Sequence, residues 1–210
     1  MAAFLSKPGF KPVKHLNGSS FNGQGNMYVV GGATTLVPGD IVTLEGTGHA
    51  SGLPTVTIAT ASGVPVGVVL CVFNTKLDPV TGKMTAGAIS LDPPQTATQG
   101  SFILVADSPD LVMETEIATY VQADVNTNYA LVPTTYNTTT GGSNMKIVAN
   151  GNLVGDPFRL LGLVQKDDFV AASAGVPGAY KRAVDADTNV KVLVTFNTHQ
   201  YKGSAGVAGV

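Results

Sequence analysis

The residues able to do chemistry are few and far apart. His15, His49 and His199 are the three histidines, and none has a second ligand at the H-x-x-x-H spacing of a helical zinc site. Separate structural or surface roles are expected of them. Asp185-Ala186-Asp187-Thr188-Asn189 opens like a calcium loop. That loop needs Gly at its sixth position and Glu at its twelfth, where Val190 and Phe196 stand, so a solvated turn is expected. Thr81-Gly82-Lys83-Met84 ends like a phosphate loop. Leu77 replaces its upstream glycine, and Met84 replaces the hydroxyl that would reach magnesium, which leaves a hairpin turn. Glu114 and Glu116 would share one face of a strand. Paired carboxylates can hydrolyse glycosides, but neighbours on one strand usually line a wet face, and the chain has no Trp to stack a sugar. Asp107-Ser108-Pro109-Asp110 has the chemistry of a turn. Cys71, the one cysteine, lies in the apolar run Val66 to Phe73 and is expected to be a small buried hydrophobe. No G-x-S-x-G is present. The residues therefore predict no catalytic group, no cofactor and no metal: a protein that is not an enzyme.

Composition narrows the class further. Of 210 residues, 44% are apolar, enough for a real core, and only 12% are charged, about half the usual share. Thr, Ser, Asn and Gly must cover much of the surface, a pattern suited to lying against other proteins. The net charge of −2 and the lack of a Lys/Arg cluster argue against nucleic acid as a partner. No run approaches the roughly 18 apolar residues of a membrane span, so no membrane partner is expected. The start is Lys-dotted and Pro-broken and does not read as a signal peptide. Synthesis in the cytoplasm is the expectation.

The elements that must position these residues are strands. Val and Thr branch at Cβ and favour the pleated sheet, and they dominate from residue 26 onward. Strands are predicted over 27–31, 40–45, 55–60, 65–73, 84–90, 101–106, 111–117, 129–132, 145–149, 158–166 and 190–198. In the last, Val190, Val192, Val194 and Phe196 point one way, and Lys191, Leu193, Thr195 and Asn197 the other. Pro38-Gly39-Asp40, Ala61-Ser62-Gly63, Asp78 to Gly82 and Gly141-Gly142-Ser143 are turns. One short helix is plausible over 117–125, capped by Thr119. No internal repeat is visible. The expected fold is an all-β sandwich or barrel module with an extended N-terminal arm and at most one short helix. Three segments follow: the arm 1–25, a β-rich domain 26–202 and a flexible tail 203–210. In the arm, Pro8 and Pro12 interrupt any regular element. Phe4, Leu5, Phe10 and Phe21 are candidate anchors that act in assembly rather than in folding.

Several phrases, taken in order, resemble a family of tailed-bacteriophage head decoration (capsid cement) proteins. They are Val37-Pro38-Gly39-Asp40-Ile41-Val42, then Val64-Pro65-Val66-Gly67-Val68-Val69, then Ile103 to Glu114, similar to the family's V-A-D-x-P-D-x-x-[FM]-E segment. Pro157 to Val164 follows, and Val192 to Gln200 resembles its closing strand, which ends N-x-H. The resemblance covers roughly 37 to 200 in pieces. It implies a structural virion protein on the outer capsid surface that cements neighbouring capsomers. Its partners would be the major capsid protein and other copies of itself, as trimer or dimer. It carries over no catalytic and no contact residues. Two other classes stay open. One is a β-sandwich receptor- or carbohydrate-binding module of a phage fibre or spike, with tyrosines in place of Trp. The other is an enzyme on a β fold whose site only folding assembles.

Overall fold

The Val- and Thr-rich runs are strands. The computed structural model describes residues 9–77, 84–85, 96–120, 122–134, 136, 141–149, 152–164, 168–170, 179–181 and 188–202. Along them lie β1 (Lys11–His15), β2 (Asn26–Val30), β3 (Ile41–Gly48), β4 (Pro54–Ile58), β5 (Gly67–Leu77), β6 (Met84–Thr85) and β7 (Ser101–Ala106). They continue with β8 (Leu111–Thr119), β9 (Asn128–Val132), β10 (Lys146–Ala149), β11 (Phe158–Leu163), β12 (Asp168–Val170), β13 (Ala179–Lys181) and β14 (Thr188–Phe196). The fold is all-β, as the composition implies, and each predicted run carries a strand. The predicted helix over 117–125 is replaced. β8 runs on through Thr119, because Ile117 and Thr119 pair with Val190 and Thr188 and Ile117 is fully buried. Only a 3-10 turn, Gln122–Asp124, follows it.

Hydrogen-bond ladders close these strands into two five-stranded barrels. In the first, β2 lies parallel to β4, and antiparallel pairs β4–β3, β3–β5, β5–β7 and β7–β2 complete the ring. In the second, β8 lies parallel to β10, and β10–β9, β9–β11, β11–β14 and β14–β8 complete it. In chain order the two wirings are identical, so the backbone holds a repeat that the residues do not display. The match extends to single residues. Val30 beside Val56 corresponds to Ile117 beside Ile147, Val42 opposite Gly67 to Tyr129 opposite Phe158, and Val69 opposite Val105 to Leu160 opposite Val194. A bulge follows Val69 in the first barrel and Leu160 in the second. The entry turns correspond too. Gly39 N–H donates to the Val69 carbonyl at 2.8 Å and Val69 N–H returns to Asp40 at 2.9 Å. Asn126 and Leu160, then Leu160 and Thr127, do the same at 2.8 and 3.1 Å. Both turns need a left-handed residue, supplied by Gly39 (φ 94°) and Asn126 (φ 70°). The single domain expected over 26–202 is therefore a tandem of two like barrels.

One cluster joins them. Val42, Val56, Val69, Ile103 and Val105 fill the first barrel. Alternate residues on its outer wall, Ile41, Val68 and Ala106, instead join the second barrel's core with Ile147, Leu160 and Val194. The Pro38-Gly39 turn is pressed into this seam. Ile41 N–H points at Met145 Sδ, 3.1 Å away, and Leu131 N–H donates to the Ala61 carbonyl at 3.0 Å.

The N-terminal segment is a correction to the arm. Phe10 is 3% exposed, stacks on Phe158 with ring centroids 4.8 Å apart, and donates its N–H to the Gly39 carbonyl. It is a core residue and not an assembly anchor. β1 adds to β8, and Phe21 folds back to donate to the Val13 carbonyl and packs partly buried against the same core. Phe4 and Leu5 lie outside the described residues, as does the 203–210 tail. Phe10→Ala should cost about 3–5 kcal/mol, the usual range for deleting a buried aromatic ring, measured by denaturant unfolding.

Asp40 is 1% exposed. Its carboxyl accepts the Val37 N–H at 2.9 Å and faces the Ser143 hydroxyl. Burial outweighs these bonds and pushes it up to about 6. The folded chain thus holds this proton at pH values where the unfolded chain has released it, and stability falls as pH rises from about 4 through 6. Asp40→Asn keeps the acceptor for Val37 and removes the charge. The variant should be more stable than the parent by up to about 3 kcal/mol above pH 6, with the difference vanishing near pH 4, as read from paired unfolding curves.

Candidate functional site

The polar side chains that do converge lie where the chain leaving β14 crosses back to the first barrel. Gln200 N–H donates to the Pro65 carbonyl at 3.0 Å, which brings His199 and Tyr201 against β2 and the β7–β8 turn. Tyr28, 2% exposed, has its hydroxyl 2.7 Å from Asp107 and 2.8 Å from the Tyr201 hydroxyl. A carboxylate only accepts, so the Tyr28 proton goes to Asp107 and Tyr201 donates to Tyr28. Asn26 Nδ2 donates to both oxygens of Asp107, at 3.1 and 2.9 Å. Burial, and then the Asp107 and Tyr201 bonds, hold the Tyr28 phenol far above its ordinary range. It is held as a neutral donor.

His199 is completely buried, against Phe196 (4.9 Å) and Tyr201 (5.7 Å). Its Nδ1 accepts the Tyr201 N–H at 3.1 Å, which places the proton on Nε2. Nε2 faces the Val66 backbone without completing a well-formed bond. Burial lowers its pKa below the usual histidine range, against the opposing pull of Asp107 and Asp110. The arrangement fastens the two barrels together. It forms a clasp.

The other sequence candidates scatter. His15 ends β1, with Nδ1 3.5 Å from the Ser108 hydroxyl; His49 sits in the β3–β4 loop, bonded to Ser51 and edge-on to Phe102. Among the described residues no three metal-ligating side chains come together. Asp185 to Asp187 lie outside those residues. So do residues 81–83, where a hairpin turn is expected; β5 and β6 on either side pair with each other. Glu114 and Glu116 do share the outer face of β8. Glu114 pairs with Lys191 at 2.9 Å, and partial burial raises the Glu116 carboxyl against the pull of Lys191 and Lys146. Cys71 is half-buried beside the β5 bulge rather than buried, and desolvation raises its thiol, which opposes nucleophilic use. The clasp carried no signal in the sequence, since its members share no local spacing.

Concavity lies elsewhere. An open depression of about 370 Å³ is lined by Leu44, Gly46, Thr47, Gly48, Gly52, Leu53, Pro54 and Thr55, with no titratable side chain on its wall. Set against protein-family models, curated proteins and solved structures, the chain matches none.

The lowered pKa of His199 has a defined sign. The folded chain takes up this proton later than the unfolded chain as pH falls, so stability present above about pH 6.5 is lost below it. His199→Gln should lose less stability than the parent between pH 7 and pH 5, measured by thermal melts across that range. A parallel pH dependence in the two proteins would remove His199 from the account.

Proposed function

We propose that the chain is a structural virion protein that binds the outer surface of a phage capsid and cements neighbouring capsomers. One observation carries the reading: the five phrases that resemble decoration proteins, spread from Val37 to Gln200, fold against one another. They lead into β3 and β5, span the β7–β8 corner, and form β11 and β14. Their Ile41, Val68, Ala106, Met113, Leu160 and Val194 meet in a single cluster.

The sparse charge of the chain supports the same reading. A cement protein makes modest contacts many times over on a lattice, and weak contacts add through multivalency. The fibre or spike reading needs exposed aromatic faces for a sugar. Tyr28, Tyr120 and Tyr129 are buried, and Tyr201 stands exposed, at 55%.

The test is to mix the purified chain with phage heads stripped of their decoration. It should co-sediment with them and raise the temperature at which they rupture. Heads that neither retain the chain nor gain heat resistance would reject the proposal.

A further inference from the structure

The joint between the barrels encloses a carboxyl from three sides. Asp40 is 1% exposed, and its Oδ1 has no hydrogen-bond partner among the described residues. The first wall is its own turn, where Val37 N–H donates to Oδ2 at 2.9 Å and Val69 N–H donates to the Asp40 carbonyl at 2.9 Å. The second wall is the segment that leads into β10, where Ser143 is fully buried and Met145 Sδ faces the Ile41 N–H. Gly9 and Phe10 form the third. Phe10 N–H donates to the Gly39 carbonyl at 3.0 Å. A Cβ on Gly39 would stand 3.3 Å from the Ser143 Cβ and 3.6 Å from the Gly9 Cα, so the three walls meet at backbone distance. Among the described residues no charged side chain acts on this carboxyl, and burial, the Ser143 hydroxyl and the Val37 N–H decide its state. The ionisable groups of the third wall, Lys11, Lys14 and His15, lie farther along β1, opposite Leu111 to Glu114.

An ionised carboxylate in such a place lacks the water it needs. Two of the walls lead directly into strands of closed barrels and cannot give way alone. The third can. β1 stands at the end of its sheet, its register shifts between Pro12 and Lys14, and Pro12 has no N–H to contribute. Lys11, Val13 and Lys14 are exposed, so beyond Phe10 the strand buries little.

We infer that Gly9 to His15 form a strap that lifts from the joint when Asp40 ionises, while both barrels stay folded. Lifting uncovers the carboxyl, the face of Phe158 on which Phe10 stacks, and the edge of β8 from Leu111 to Glu114. Burial pushes the Asp40 carboxyl up to about 6 in the closed form. A lifted strap returns it toward the ordinary value of about 4. Opening therefore becomes easier as pH rises from about 4 to about 6, by up to about 100-fold, and levels off above that, where both forms are ionised. The strap is a property of the purified chain and does not rest on capsid binding.

The test is hydrogen exchange of the Phe10 amide in the full chain from about pH 4 to about pH 7, corrected for the intrinsic exchange rate, with the β14 amides as reference. Phe10 should exchange faster than the β14 core, at a rate that low denaturant leaves unchanged, because a local opening suffices. Its protection should fall by up to about 100-fold across this range in the parent and stay level in Asp40→Asn. A Phe10 amide that exchanges only together with β14, as global unfolding requires, would overturn the inference. So would a protection that is level with pH in the parent, or one that falls equally in Asp40→Asn. Should Asp40→Asn fail to fold, Ser143→Ala takes its place. The Ser143 hydroxyl lowers the Asp40 carboxyl, so its loss should move the pH at which protection levels off upward, and an unmoved profile would equally overturn the inference.

Discussion

The structure depends on seating one tight turn, Val37-Pro38-Gly39-Asp40, in a dry seam. The turn opens the first barrel, yet Gly39, Asp40 and Ile41 face the second barrel at Ser143 and Met145 and the N-terminal segment at Phe10. Close approach is essential here. A Cβ on Gly9 would stand 2.7 Å from the Ser143 Cβ, and Gly9 has φ +106° besides. The carboxyl of Asp40 closes the turn by accepting from Val37, and its burial is the electrostatic cost of that closure. The apolar ring of Phe10 offsets this by covering the same joint.

The two barrels share one wiring, but their outer walls have diverged. At the wall positions where the first barrel has Ile41, Val68 and Ala106, the second has Asn128, Arg159 and Thr195. The apolar set lies in the seam. The polar set satisfies itself, with Arg159 donating to Asn128 and Asn197, and Thr195 to the Leu111 carbonyl. Burial within the chain therefore explains the apolar wall, and local hydrogen bonding explains the polar one. A tandem of this kind presents two unlike surfaces from one repeated plan.

Much of the architecture was legible in the residues because local pattern and tertiary role agree. The alternation in β14 placed Val192, Val194 and Phe196 inside, and Pro38-Gly39 marked its turn. β1 was missed because Pro12 interrupts it. Its register shifts between Pro12 and Lys14, and β1 stands at the end of the sheet beside β8, so the missing donor falls at a bulge on an edge. The repeat escaped notice because equivalent sites keep apolar character rather than identity, as Val30 and Ile117 or Val42 and Tyr129 do, and because the intervening loops differ in length. Asp40 looked like an ordinary turn residue, since nothing local tells that a second barrel will cover it. The Tyr28–Asp107–Tyr201 clasp joins residues far apart in the chain, which only the closed fold brings together.

The claim on which the rest stands is that the seam makes the two barrels one cooperative unit. Differential scanning calorimetry of the full chain tests it most directly. The account predicts one transition whose calorimetric and van't Hoff enthalpies agree. Two resolved transitions, one for each barrel, would contradict it.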